Sequence, residues 1–347
     1  MKKEASSGLV LTLLLIGLFS LAFNIQPVRA YETIYIRPDG SIDPTTAPIQ
    51  RDGGVYTLTD NITGSIVVER SNIIVDGDSN TLTTEMGDAF TFSYINSVTI
   101  RNTRVDSYYG YCIRFSHSSY NTIFGNDLQV CQIAYEGEGG GIYLSDSPHN
   151  TIYQNNIEPH GVQCCFSAII LGSSSFNNVS ENTIRMYNSG GISLSSSGFN
   201  NIFRNNIDGI GECITGGSSS FNNISENYLF GGMGLSINVG GSNNTIFRNT
   251  CTGSFGVDIY GSNNTIRRND IINMQGGLGV TGNNNIICEN NIEYNTYSGL
   301  GVGGTNNIIY HNNFIAVTEF YQASGPEHAC MHSSISDSSN SNFYITT

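Results

Sequence analysis

Apolar and polar positions repeat along most of this chain with a period of 20 to 29 residues. The clearest unit is a short phrase that ends in asparagine, such as NTIFGN at 121–126 or NTIFRN at 244–249. The recurring asparagines are Asn102, Asn126, Asn155, Asn182, Asn205, Asn227, Asn249, Asn269, Asn290 and Asn312. A period of this length is typical of a solenoid, in which each repeat forms one coil and only stacked coils close a core.

Aliphatic residues hold fixed places around each of these asparagines. One stands three positions before, as Ile202 does before Asn205, and another stands two positions after, as Ile207 does. A second apolar pair follows, and its members are Ile113/Phe115, Ile142/Leu144, Ile169/Leu171, Ile192/Leu194, Leu235/Ile237, Val257/Ile259, Leu278/Val280 and Leu300/Val302. Because the paired residues are two apart, the period is that of a strand, and each repeat predicts three short strands joined by tight turns.

The pattern therefore predicts an all-β fold, a single-stranded, right-handed parallel β-helix of roughly eleven coils. We expect the Asn column to be structural, with each side-chain amide bonded to the amides of the coils above and below. Asn also tolerates the left-handed backbone that a tight turn needs. The predicted organisation is a signal peptide at 1–30, a lead-in or cap at 31–60, the β-helix at 61–315 and a tail or cap at 316–347.

Residues 1–30 have the pattern of a secretory signal, with Lys2 and Lys3, an apolar stretch from Leu9 to Phe23, and a small-residue cleavage site that ends at Ala30. An uncleaved membrane anchor is the alternative, although the stretch is shorter than the roughly 20 residues that span a bilayer. Cleavage near Ala30 predicts a secreted or cell-surface protein with no transmembrane span in the mature chain.

Removal of the signal leaves 11 arginines, no lysine and 27 acidic residues, a net charge near −16. This balance disfavours nucleic acid and anionic lipid as partners, since both require basic patches. It also excludes chemistry that depends on a lysine amine. The residue before the repeating Asn alternates in sign over Glu181, Arg204, Glu226 and Arg248. We expect such charges to pair between neighbouring coils, and a charged binding strip is the alternative.

Eight cysteines in an exported chain permit disulfides. Cys251 occupies an aliphatic position of the repeat, which predicts a small core residue. Cys213 and Cys288 lie coils apart and are expected to stay single. The remaining candidates for one bridge fall in three successive coils and are Cys112, Cys131, Cys164 and Cys165, with the pairing left open.

The phrase NIIVDGDSNTL at 72–82, the segment IYIRPDGSIDPTTAPI at 34–49 and the Asn-Thr-Ile repeats resemble the NosD-like family of right-handed parallel β-helices, in the pectate-lyase-like superfamily. Repeats of this type also occur in many secreted archaeal proteins. The resemblance covers about residues 32–315. It implies carbohydrate binding or hydrolysis, or copper delivery to nitrous oxide reductase, and it transfers no site residue to this chain.

Candidate chemistry is sparse. The predicted outward row between the second apolar pairs contains Ser236 and Asp258 and is nearly without charge, which argues against a groove enzyme. With no Asp-Asp pair in the chain, calcium is not supported. The long coils predict loops that carry weak catalytic candidates, namely Glu136, Glu138, Glu158 and His160. A solvated loop is the alternative interpretation.

The segment HACMH near the C-terminus places His328, Cys330 and His332 two residues apart. In an extended segment these side chains share one side, and imidazole with thiolate suits Cu or Zn. Five consecutive residues cannot enclose a metal by themselves, so the site is a weak candidate.

The sequence thus favours a secreted β-helix protein that is non-catalytic and either binds polysaccharide or glycan or is purely structural. A polysaccharide hydrolase or lyase and a copper-binding protein are the alternatives. The sequence does not predict the oligomeric state.

Overall fold

A computed structural model describes residues 32–131, 139–160, 167–187, 190–209, 211–253 and 255–315, together with three short strands beyond residue 320. Within these residues the chain forms strands and turns and no helix. The fold is a parallel β-solenoid of about eleven turns, as the repeat predicts. Within the described residues there is also no helix long and apolar enough to cross a membrane.

Each coil contributes one strand to each of three faces. The first face is a sheet of 14 strands, and the second and third faces together form a sheet of 26, joined by Ile62–Val68, which pairs with both. The strands of the first face are Ile49–Asp52, Val55–Leu58, Ile73–Asp76, Val98–Arg101, Thr122–Phe124, Thr151–Tyr153, Asn178–Ser180, Asn201–Phe203, Asn223–Ser225, Thr245–Phe247, Thr265–Arg267, Ile286–Cys288, Ile308–Tyr310 and Ala329–Met331.

The second face follows the Asn that ends each phrase. Its strands after Ile62–Val68 are Thr81–Thr84, Arg104–Ser107, Asp127–Cys131, Asn156–His160, Thr183–Met186, Asn206–Gly209, Tyr228–Gly231, Thr250–Thr252, Asp270–Ile272, Asn291–Glu293, Asn313–Ile315 and Ser334–Ser336. The strands of the third face are Glu32–Ile36, Ile42–Asp43, Phe90–Ser93, Tyr111–Ser116, Gly140–Ser145, Ile169–Gly172, Ile192–Ser195, Ile214–Gly217, Ile237–Gly240, Val257–Tyr260, Leu278–Thr281, Leu300–Gly303 and Tyr321–Gln322.

Pairing between coils is parallel and in register, so like residues lie on like. Ile202 pairs with Val179 and Ile224, and all three are fully buried. Antiparallel pairs occur only at the N-terminal end of the described chain, where Glu32–Ile36 meets Ile42–Asp43 and Ile49–Asp52 meets Val55–Leu58. The parallel pairing continues beyond residue 315 through Tyr321–Gln322, Ala329–Met331 and Ser334–Ser336.

The asparagines that end the phrases form a continuous buried ladder, which we call the strand-end ladder: Asn126, Asn155, Asn182, Asn205, Asn227, Asn249, Asn269, Asn290 and Asn312. The backbone N–H and the Nδ2 of Asn205 both donate to Oδ1 of Asn227, each at 3.0 Å. The same Nδ2 donates to the carbonyl of Val179 on the coil before, at 2.9 Å. Each amide therefore satisfies backbone groups that would otherwise be buried without partners.

Asn102 does not belong to this ladder. Thr103 occupies the buried position instead, and its N–H donates to Oδ1 of Asn126. Asn102 is exposed and left-handed, with φ of 52°, and matches the residue that precedes each ladder Asn. The ladder Asn does not use the left-handed backbone that its residue type tolerates, because residues such as Arg204 and Glu226 carry that bend and the next side chain points inward.

A second buried Asn ladder, the strand-start ladder, begins each phrase. Its members are Asn121, Asn150, Asn177, Asn200, Asn222, Asn244, Asn264, Asn285 and Asn307. The N–H of Asn121 donates to Oδ1 of Asn150 at 2.8 Å, and the same bond repeats along the stack. These residues recur in the sequence as regularly as the strand-end asparagines, so the spacing was sufficient to find them.

The charged residues at the left-handed positions pair across coils, which confirms the prediction that charges before the repeating Asn pair between neighbouring coils. Arg204 meets Glu226 at 2.8 Å and Arg268 meets Glu289 at 2.5 Å. All four are exposed, so each pair contributes little to stability.

Cys251 lies in the core between Leu229 and Ile271, as predicted. Within the described residues Cys112, Cys213, Cys251 and Cys288 are free thiols, so Cys112 takes no part in the expected bridge. Burial raises the pKa of the Cys213 thiol to about 12, which keeps it protonated and unreactive. The side chains of Cys131, Cys164 and Cys165 lie outside the described residues.

We predict that Asn205→Ala destabilises the solenoid by about 3 kcal/mol, because it strands the Asn182 N–H and the Val179 carbonyl in the core. Denaturant unfolding followed by circular dichroism measures the change. The matched control is Asn206→Ala, the exposed chain neighbour, for which we expect a change within about 0.5 kcal/mol. Equal effects at the two positions would contradict a structural role for the ladder.

Candidate functional site

The outer surface of the third face carries a cluster of polar side chains. Side chains alternate along each strand, so the residue between two buried ones points outward. The outward row consists of Thr91, Arg114, Tyr143, Ile170, Ser193, Thr215, Asn238, Asp258, Gly279 and Gly301.

One member of this row differs from the sequence prediction. The register pairs Ile214 with Ile237 and Thr215 with Asn238, so the buried pair of that coil is Ile237/Val239 and not Leu235/Ile237. Ser236 is consequently buried, and Asn238 takes its place in the row. Leu235 precedes the strand and is only partly buried. The buried pair begins two residues later than the spacing predicts, and the turn before this strand is one residue longer than the corresponding turns of the coils on either side.

Asp258 lies at the end of the polar run Ser193, Thr215, Asn238 and Asp258 of this row. Its Oδ2 accepts a hydrogen bond from the hydroxyl of Tyr260 at 3.1 Å, and the Tyr260 ring is 48% exposed. Both side chains belong to the strand Val257–Tyr260, on which residues two apart project from the same side. The hydroxyl and the carboxylate thus meet at the surface of the third face.

Glu212 and Asn238 complete the cluster from the two preceding coils. Nδ2 of Asn238 donates to Oε1 of Glu212 at 2.8 Å, and Asn238 is paired with Asp258 in the sheet. Among the described residues no arginine or histidine forms an ion pair with either carboxylate. Glu212 and Asp258 therefore lie two coils apart, with the side-chain amide of Asn238 on the coil between them.

Glycines leave room beside these carboxylates. A Cβ at Gly279 would lie 2.2 Å from Oδ1 of Asp258, so the carboxylate occupies the space that a side chain would fill. Gly301 follows Gly279 in the row. The Asp258 carboxylate therefore lies over Gly279, and Gly301 continues the row without a side chain of its own.

The environment disfavours the charge on Asp258. Burial raises the pKa of this carboxyl above its ordinary value, the hydrogen bond from Tyr260 partly opposes that shift, and Glu212 adds repulsion. The pKa of Tyr260 is also raised, by burial first and by the charge of Asp258 next. A carboxyl with a raised pKa beside a second carboxylate is suited to acid–base chemistry as well as to hydrogen bonding.

A second polar group lies at the other end of the row. Arg114 meets Asp88 at 3.4 Å and lies over the rings of Tyr111 and Tyr143, at 5.7 and 5.3 Å from their centroids. The two rings stack at 4.9 Å. The charges of this group are already paired, so it offers fewer free contacts to a ligand than the Asp258 cluster.

A stack of exposed aromatic rings lies in the turns that precede the strands of the first face. Its members are Tyr120, His149, Phe176, Phe199 and Phe221. Neighbouring centroids lie 4.7 to 5.1 Å apart with nearly parallel planes, so each ring covers the faces of the next. Since a sugar ring stacks on an aromatic face, this arrangement is not a sugar platform.

The sequence-predicted catalytic candidates do not form a site in the described chain. Glu158 pairs with Arg185 of the next coil on the second face. Only the backbone of His160 is described, where it is paired with Cys131. Glu136 and Glu138 lie outside the described residues.

Most of the candidate copper ligands also lie outside the described residues. His328 and His332 are not among the described residues, and Cys330 is described only as a backbone position paired with Ile309. Within the described residues no group of three His, Cys, Asp or Glu side chains converges. The described residues do not include a set of ligands that fits copper, and we derive no step through copper.

Sequence reasoning placed Asp258 in the outward row but missed Glu212 and Tyr260. Both residues flank predicted strands by sequence, and only the register shows that Asn238 links Glu212 to Asp258. The available signal was an acid, Asp258, that is followed in the same outward row by a glycine in each of the next two coils, Gly279 and Gly301.

Residues 56–166 match the model of a family described as "Periplasmic copper-binding protein (NosD)". No curated protein matches the sequence significantly. Among solved structures, the AlgE6 A-module of mannuronan C-5 epimerase from Azotobacter vinelandii is 13% identical, with 90% of this chain and 91% of that chain covered and a TM-score of 0.50.

A hyperthermoactive exopolygalacturonase from Thermotoga maritima is 8% identical, with 77% and 78% of the two chains covered and a TM-score of 0.48. At these identities the likeness to solved structures shows the fold alone. The chain is therefore a parallel β-helix protein that is similar, over residues 56–166, to the NosD family.

Proposed function

We propose that the protein binds a neutral polysaccharide along the third face, with Asp258 at the centre of the binding site. One observation carries the proposal: the partly buried carboxylate of Asp258 has no cationic partner among the described residues and lies over Gly279, which has no side chain of its own. A buried carboxylate in such a position has capacity for further hydrogen bonds.

The chemistry of the cluster matches a polyhydroxyl ligand. Sugar hydroxyls donate well to carboxylates such as those of Glu212 and Asp258, and charge-assisted bonds of this kind are about twice as strong as neutral ones. Asn238 can both donate and accept, and the exposed ring of Tyr260 offers apolar surface next to them. From Thr215 to Gly301 the row spans four steps of about 4.8 Å, a surface suited to a linear polymer.

Charge favours a neutral ligand over an acidic one. Glu212 and Asp258 form no ion pair with a basic group in the described chain, and the full chain carries a formal net charge of −14. A uronate placed on this cluster would meet like charges in a partly desolvated setting. The mannuronan epimerase is a relative by fold only, so the proposal depends on these residues and not on that likeness.

Hydrolysis of the bound polysaccharide is the second candidate. The raised pKa of Asp258 suits a general acid, and Glu212 on the far side of Asn238 would act as the base that activates water. Binding remains the first proposal because it requires only the contacts already present.

We also propose that the protein acts outside the cytoplasm. The matched family is described as periplasmic, and the first 30 residues have the pattern of a secretory signal.

We predict that Asp258→Asn weakens binding to neutral glycans by roughly 10- to 100-fold, because it removes charge-assisted hydrogen bonds worth about 1.5–3 kcal/mol. A glycan array identifies the ligand, and calorimetry with the wild type and the variant measures the change. Asp270→Asn is the matched control, since Asp270 is an exposed acid on the second face, one coil away.

The same incubations, assayed for new reducing ends, test hydrolysis. Release by the wild type that disappears in Asp258→Asn would favour the second candidate. If the wild type retains no neutral glycan, or if Asp258→Asn and Asp270→Asn bind as the wild type does, the binding proposal fails.

We predict that Asp258→Asn is more stable than the wild type at neutral pH. Because burial raises the folded-state pKa of Asp258, the folded chain holds this proton more tightly than the unfolded chain. The resulting stabilisation is complete below the ordinary value of 3.8 and is lost as pH rises through the raised pKa. Melting temperatures at pH 3 and pH 7 should show a gain for the variant only at the higher pH, with Asp270→Asn unchanged. A variant less stable at pH 7 would contradict this account.

We predict that the exported protein begins at Tyr31. N-terminal sequencing of material from the medium or periplasm should read Tyr-Glu-Thr. Recovery of the intact N-terminus in the membrane fraction would show that the segment is retained as an anchor.

A further inference from the structure

The arginines of this acidic chain are almost all neutralised locally. After residue 31 the chain contains 11 arginines and no lysine, and all of them lie in described segments. Seven arginines lie within 4.0 Å of a carboxylate: Arg37, Arg101, Arg104, Arg114, Arg185, Arg204 and Arg268. Arg51 and Arg70 donate to backbone carbonyls. In the described chain, Arg248 and Arg267 do neither.

These two arginines lie together on the first face. The guanidinium carbon of Arg248 is 4.8 Å from the centroid of the Phe247 ring, and that of Arg267 is 4.5 Å from the same centroid. Phe247 and Arg267 are direct partners in the sheet, and the N–H of Arg248 donates to the carbonyl of Arg267. Both guanidinium groups therefore lie against one aromatic ring. Their central carbons are separated by no more than the sum of these two distances.

The donor capacity of Arg267 is not satisfied by the described protein atoms. Its Nε is buried and has no hydrogen-bond partner. Leaving a buried donor without an acceptor costs on the order of 1–3 kcal/mol, and more when the group is charged. Such a group has capacity for an acceptor that the described protein atoms do not supply.

Charge around the two arginines is also unbalanced. Arg268 lies one coil beyond Arg248 and is paired with Glu289, whose pKa is lowered first by that hydrogen bond. Glu226, on the other side of Arg248, is already bound to Arg204. His311 and Arg267 also lie near Glu289 and lower the pKa of its carboxyl further. The surface around Arg248 and Arg267 is therefore positively charged in a strongly negative chain, and it attracts anions.

We propose that Arg248 and Arg267 form an oxyanion-binding site, one that takes a carboxylate or a sulfate group. Guanidinium groups present paired donors that match the geometry of such anions. Phe247 fixes the cations by cation–π contacts, so little side-chain freedom is lost on binding. The site lies on the first face and does not depend on the proposed neutral glycan at Asp258.

The anion can come from an acidic glycan or from solution, and the two sources are separable. We would titrate the full chain with oligogalacturonate, with a neutral oligosaccharide of equal length, with sodium sulfate and with inorganic phosphate. Sodium chloride at matched ionic strength controls for screening. Calorimetry gives affinity and thermal unfolding gives ligand stabilisation, which follows the ratio of free ligand to Kd.

The test compares three variants. Arg248→Gln/Arg267→Gln removes the site, Arg248→Lys/Arg267→Lys keeps the charge without the planar fork, and Arg101→Gln/Arg185→Gln removes two paired arginines elsewhere. We expect the Gln pair to weaken anion binding by about tenfold or more, the Lys pair to lie between, and the control to bind as the wild type does.

Tight binding of oligogalacturonate identifies an acidic glycan as the source. Binding of sulfate or phosphate alone supports the site and assigns it to a free anion. The proposal is overturned if chloride protects as well as sulfate does, or if the Gln pair and the control bind all anions equally.

Discussion

The amide-to-amide hydrogen bond between neighbouring coils is the interaction on which the rest of this structure depends. Each ladder Asn caps a tight turn and satisfies backbone groups of the coils above and below, as Asn205 does with Val179 and Asn227. Because the amide pairs with an identical amide, a slip of one residue would bury unmatched polar groups. The ladders therefore fix the register, and the register determines which side chains share a row on the surface.

The ladder asparagines and the aliphatic columns could be read from the sequence because every coil repeats them. The departures occur where one coil differs from its neighbours. Thr103 occupies the first position of the strand-end ladder in place of Asn. The Asn of that coil, Asn102, lies one residue earlier and is exposed. The turn before Ile237–Gly240 is one residue longer than those of the coils on either side, so Ser236 lies in the core and Asn238 faces outward. A spacing pattern averages over coils and cannot detect such changes.

The two candidate sites illustrate how a repetitive scaffold acquires chemistry. Both arise where a row departs from its repeat, at Asp258 beside glycines on the third face and at Arg267 beside Phe247 on the first. Neither group forms an ion pair within the described chain, whereas Arg204 and Glu226 illustrate the pairing found elsewhere. The sequence contained these residues, but only the stacked coils bring Glu212, Asn238 and Asp258 together.

Disulfide trapping on the third face tests this register most directly. Cysteines that replace Thr215 and Asn238 should close a bridge under mild oxidation, because their Cα atoms lie on adjacent paired strands about 4.8 Å apart. Cysteines at Thr215 and Ser236 should not, since the second residue points into the core, two positions away along the strand. Mass mapping of the oxidised protein distinguishes the two. Closure of the Thr215 and Ser236 pair, with the Thr215 and Asn238 pair remaining reduced, would contradict the stacking that builds the Asp258 site.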